Sequence, residues 1–137
     1  MWNLVPFLSR KVYDHSAMSG SVTVDTVLVR ALDVIDARAG ELLVRIHAIT
    51  VLSPGQLRLL AFTTSPSPDS PETDFVLTSP VIAQATLETA SVGQLVRVAL
   101  TSGFGSHLRL VLRAVVAAGA QSHKATLSAA LALRERP

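Results

Sequence analysis

With no cysteine in the chain, the side chains that could do chemistry here are histidines, carboxylates and hydroxyls. The four histidines, His15, His47, His107 and His123, are scattered. Two ligands on one strand face need i, i+2 spacing, and a helical pair needs i, i+4. Neither spacing occurs. His47 and His107 fall on strand faces shared with arginines, where a solvated imidazole is the plain reading. Asp33 with Asp36, and Glu72 with Asp74, are local acid pairs. Glycoside chemistry needs two carboxylates across a cleft, one of them held protonated. Both pairs lie instead in apparent turns, where Asp bonds the nearby backbone. The stretch Asp69–Asp74 offers oxygen ligands of the kind calcium takes, without the Asp-x-Asp-x-Asp-Gly spacing that arranges them. No Gly-x-Ser-x-Gly elbow is present. Gly103-Phe104-Gly105-Ser106 lacks the third glycine and the strand-to-helix setting of a dinucleotide loop. The expectation is a protein that is not an enzyme, with no catalytic residues, no cofactor and no metal.

Arginines are the remaining polar feature. Arg45, Arg58, Arg97, Arg109 and Arg113 sit in strand-like runs and could form one basic face. Such a face would suit an acidic protein surface or a phosphate backbone. Single-strand nucleic-acid readers add aromatic platforms, and aromatics make up just 4% of this chain. Sugar-binding faces need stacked rings as well. Net charge is +2 and dispersed, so no nucleic-acid partner is expected.

Those residues need elements to hold them, and composition sets what the elements are. The 137 residues suit one domain. Hydrophobic residues reach 49% and charged residues only 16%, against roughly 25% charged in an average globular protein. That excludes disorder. It also leaves more apolar surface than a small domain buries, which points to a homo-oligomer. No run approaches the ~20 apolar residues of a membrane span. The apolar start precedes its charges Arg10 and Lys11, the reverse of a secretory signal. The expectation is a soluble chain with no membrane partner and no processed signal.

Short apolar runs separated by turn residues dominate the pattern. Strands are expected at Ser21–Leu32, Glu41–Ile49, Gln56–Thr63, Val81–Leu87, Gln94–Thr101, Ser106–Val116 and His123–Arg134. Turns are expected at Asp36–Gly40, Ser53-Pro54-Gly55, Ser91–Gly93 and Gly103-Phe104-Gly105. Within Glu41–Ile49, residues Leu42, Val44, Ile46 and Ala48 share one face. The last run has good helix formers, yet its period-two alternation favours a strand. Thr64–Pro80 holds Pro66, Pro68, Pro71 and Pro80, too many for a central ladder, and reads as a long loop with a short edge strand conceivable at Phe75–Thr78. This is an all-β antiparallel sandwich, jelly-roll-like, over residues 19–137.

Residues 1–18 stand apart as an extended N-terminal arm. They carry Trp2, Phe7 and Tyr13, half of all the aromatics. Bulky anchors in a terminal arm suit docking, either on a neighbour or over the open end of the same sandwich. The expected protein-interface residues are therefore Trp2, Phe7 and Tyr13 in the arm, and Pro68, Pro71 and Phe75 in the loop.

Three stretches bear a family resemblance: Leu43-Val44-Arg45-Ile46-His47, the loop Pro66-Ser67-Pro68-Asp69-Ser70-Pro71-Glu72-Thr73-Asp74-Phe75, and Phe104-Gly105-Ser106-His107-Leu108-Arg109-Leu110-Val111-Leu112. In general pattern, over residues 20–134, the chain resembles small β-sandwich structural proteins of tailed bacteriophages. The resemblance implies a virion component of capsid-decoration or cement type, or a tail or neck part. It implies major capsid or tail proteins as partners, and assembly in the host cytoplasm. The competing reading is a carbohydrate- or receptor-binding module of a phage tail.

Overall fold

Alternating β-branched and leucine-rich runs pair into eight strands in the computed structural model, which describes residues 2–16, 22–34, 37–51, 55–64, 81–100, 107–116 and 122–135. They are β1 (Trp2–Ser16), β2 (Val22–Asp33), β3 (Ala37–Thr50), β4 (Gln56–Thr64), β5 (Val81–Thr86), β6 (Leu95–Leu100), β7 (His107–Val116) and β8 (Ser122–Glu135). Every pairing is antiparallel. β1 pairs with β8, β2 with β7, β3 with β6 and β4 with β5. This nested order is a long hairpin rolled on itself. Pairs β3–β8 and β4–β7 complete two sheets, β1-β8-β3-β6 and β2-β7-β4-β5. That is the eight-stranded jelly roll, and the expected fold is the fold observed.

The core lies between the sheets. Leu42, Val44 and Ile46 of β3, Leu127 and Leu131 of β8, Leu57 and Leu59 of β4, and Leu108, Leu110 and Leu112 of β7 are all fully buried. Each such side chain contributes roughly 1.5–3 kcal/mol by leaving water. Aliphatic residues do nearly all the filling, as the low aromatic content required. The final run is strand β8, with Ala125, Leu127, Ala129, Leu131 and Leu133 inward as its alternation predicts. Strand β4 departs from simple alternation. Its Leu60 and Phe62 form a second buried cluster with Val111 on the far face of the same sheet.

Three expectations are corrected. The N-terminal stretch is not a separate arm: residues 2–16 form an edge strand bonded to β8 along its length. It gives the long central strand β8 a partner on a side that would otherwise expose unpaired backbone. Nor does a turn run through Gly40, because β3 already begins at Ala37. Gly40 lies opposite Leu100 and Leu133. A Cβ there would come within 2.6 Å of Leu100 Cδ1 and 3.0 Å of Leu133 Cδ2, so glycine serves close packing. Finally, Ala48 faces outward. A register shift between Ile46 and Ala48 flips the parity, and Ile49 packs against the core instead.

Candidate protein-interaction surfaces

The arginines do not make one basic face. Arg45 and Arg97 belong to the first sheet, and Arg58, Arg109 and Arg113 to the second. Several are held by acids. Arg97 forms a two-pronged pair with Glu41, Nε to Oε1 at 2.6 Å and Nη2 to Oε2 at 3.0 Å. That contact pulls the Glu41 carboxyl below its ordinary pKa. Arg113 grips Asp25 the same way at 2.8 and 3.0 Å. Arg58 donates to Glu88, whose second oxygen accepts from the Leu57 N–H. Arg45 donates to the Gly93 carbonyl. Such pairing fixes turns and strand registers, and it removes the continuous positive stripe that a phosphate backbone would need.

His47 and His107 lie on different sheets, so no constellation joins them. His47 Nε2 sits 2.8 Å from the Ser128 hydroxyl. That oxygen also accepts the Arg10 N–H at 2.9 Å. No carboxylate orients His47 among the described residues, so the Ser–His contact lacks the third group a nucleophile relay uses. The Arg10 N–H bond pins β1 to β8 where Arg10 takes a left-handed φ of 44°, and the His47 contact ties the same hydroxyl to β3. His123 is 1% exposed and donates Nε2–H to the Val115 carbonyl at 3.0 Å. It lies opposite His15 in the β1–β8 register. Burial, then the neighbouring His123, push the His15 imidazole below its ordinary 6.5, with Asp14 opposing. No group of three metal-ligating residues gathers among the described residues.

The expected interface residues divide. Tyr13 is 7% exposed and belongs to the core, so its ring is not offered to a partner. Its hydroxyl has no hydrogen-bond partner among the described residues, and burial raises its pKa. Phe7 is half-buried against the core. Trp2 pairs in the ladder with Arg134. Pro68, Pro71 and Phe75 lie outside the described residues. Phe62 is buried, so its ring is not an exposed sugar platform.

Two surfaces emerge that residue spacing did not show. One is a shallow groove of about 410 Å³ on the outer face of the first sheet. Small side chains of the central strand β8, Ser128 and Ala130, make its floor, and Leu4, Leu43 and Leu95 from other strands make its walls. Leu4 is 64% exposed. The other is a cleft of about 550 Å³ along one flank of the sandwich, where β1 of one sheet meets β2 of the other. It is lined by residues 7–13 and 26–28. Val12 and Val27 are 54% and 44% exposed there. Alternation places each valine on a solvent face, but only the three-dimensional pairing brings the two together.

No family model matches the chain, and no curated protein matches it. Solved structures do. The structure of infectious bursal disease virus, Gx strain, superposes with a TM-score of 0.50 at 13% identity, over 97% of this chain and 31% of the other. The VP2 subviral particle of infectious bursal disease virus superposes with a TM-score of 0.52 at 15% identity, over 97% of this chain and 32% of the other. The chain thus spans about a third of the length of these neighbours. At such identity the likeness is one of fold. Both neighbours come from particles of infectious bursal disease virus, and neither is a protein of a tailed phage.

Proposed function

We propose that the chain is a structural subunit of a virus particle, one that works by packing against other protein subunits and not by catalysis. The observation that carries this reading is the nested eight-strand jelly roll, shared along nearly its whole length with capsid protein of a virus. The surface supports it. A rigid two-sheet frame presents an apolar groove with a two-thirds-exposed leucine. Apolar patches of this kind mark protein contacts when many copies gather. Repetition on a symmetric particle makes modest contacts effective together. Within that role, the resemblance to phage proteins favours a decoration or cement subunit on a capsid. Its partners would be major capsid or tail proteins and further copies of itself, with assembly in the host cytoplasm and residence in the virion.

The test is the mass in solution, alone and mixed with purified particles, by analytical ultracentrifugation. A discrete closed oligomer, or saturable attachment to particles, is the expected result. A strict monomer that ignores particles would remove the reading.

A further inference from the structure

We propose that the β1–β2 cleft is a docking site for the acidic, proline-rich segment 65–80 of a second copy of this chain. The inference rests on the subunit reading above and names the contact that would join the copies.

The acceptor side comes from the fold. Both strands at this flank are sheet edges. β1 shifts register between Pro6 and Leu8 and again between Leu8 and Lys11. β2 shifts between Val27 and Val29 and again before Leu32. Bulges at these levels interrupt both ladders, so simple sheet extension is blocked. What remains is a trough for side chains and an extended backbone. Its apolar contacts are Phe7, Val12 and Val27. Its rim is basic: Arg10 and Lys11 line it, are exposed, and have no carboxylate partner among the described residues. The Lys11 ammonium rests 5.7 Å from the centre of the Tyr13 ring, which holds that charge at the cleft. Arg58, Arg97 and Arg113 are each paired with an acid, so their charge is already matched, unlike that of this rim.

The donor side comes from the sequence. Segment 65–80 carries Asp69, Glu72 and Asp74 and no Lys or Arg, in a chain of net charge +2. Its prolines favour an extended backbone with little entropy left to lose on docking. Phe75, Val76 and Leu77 supply apolar side chains beside the acids. In sequence the segment lies between β4 and β5, and those two strands lie on the side of the second sheet away from β2. Donor anchors and acceptor cleft therefore lie on opposite flanks of one molecule. A contact between them in two copies is head-to-tail, which closes into a ring where the rotation allows and otherwise runs on as a filament.

Charge-swapped variants of the full chain test this. The first carries Arg10→Glu and Lys11→Glu, the second Asp69→Lys, Glu72→Lys and Asp74→Lys. Circular dichroism and thermal melting check folding, and sedimentation velocity reads assembly. Each variant alone is expected to associate on the order of 100-fold more weakly than the parent, because like charges then face each other. Mixing the two is expected to restore assembly, since every cleft then meets a segment of opposite sign. A synthetic peptide of residues 65–80 gives a second measurement on the parent chain. It should dissociate the oligomer, and the same peptide with Asn and Gln in place of its acids should not. Parent-like assembly by either variant alone, a mixture that stays apart, or an inert acidic peptide would each overturn the proposal. Assembly that persists in both variants overturns the cleft contact and leaves the subunit reading standing. So does a parent chain that stays monomeric alone yet attaches to particles.

Discussion

The two flanks of the sandwich are built differently. On the β5–β6 flank, a short connection closes the gap between the sheets. Leu87 is fully buried there, and its N–H bonds the Leu57 carbonyl at 2.8 Å. Gly93, at a φ of 86° that only glycine takes without strain, donates to the Ile46 carbonyl. The Gln94 side chain accepts from the Ser91 N–H, and Glu88 ties Leu57 to Arg58. On the β1–β2 flank, both edge strands slip register instead. Bulges, exposed valines and two cations free of carboxylates lie there. One flank is finished by its own chain, and the other is shaped for something else to finish. The local order of the sequence explains the difference. β5 and β6 are joined by a few turn residues, whereas β1 and β2 meet only as the outer strands of two separate ladders.

Substitutions should separate the flanks by size of effect. The largest is expected at Leu87→Ala, which leaves a cavity at the closed flank. It should cost about 2–5 kcal/mol of unfolding free energy in a urea titration, without changing association of the folded protein. Gly40→Ala comes next. Its new methyl must displace Leu100 of β6 and Leu133 of β8, for about 1–3 kcal/mol by the same titration.

His15, on β1, should give a smaller and pH-dependent effect. Its folded-state pKa lies below its unfolded value, so the unfolded chain binds more protons in between. Stability is then present above about 6.5 and lost as the pH falls through and below that value. Denaturation midpoints measured from pH 7.5 to 5 should decline, and His15→Gln should flatten the decline. The smallest effect on stability is expected from Val12→Thr with Val27→Thr at the open flank, within about 0.5 kcal/mol. The same pair should nonetheless weaken association by sedimentation. A large stability loss there, with unchanged association, would reverse the comparison.

Most of the frame is legible in the sequence. Seven of the strands follow from period-two runs bounded by turn residues, and the inward residues of β6, β7 and β8 follow from the same alternation. β1 was hidden because Pro6, Arg10 and Lys11 break the pattern and two register shifts change its parity. Its aromatics therefore read as anchors for a partner, although Tyr13 anchors the chain's own core. Gly40 read as a turn because a glycine signals a turn far more often than it signals two leucines pressing on one backbone. The surfaces were less legible still. The groove depends on small residues of β8 lying between larger ones on neighbouring strands, and the Ser128–His47 contact joins residues 81 apart. Such adjacencies are products of register, which side-chain type alone does not specify.

The most direct test is hydrogen exchange, read by mass spectrometry on the full chain at rising protein concentration. If copies join through the open flank, amides of residues 7–13 and 26–28 gain protection as the assembly forms, while those of residues 87–94 stay unchanged. Protection that rises equally on both flanks, or only on the β5–β6 flank, would contradict it.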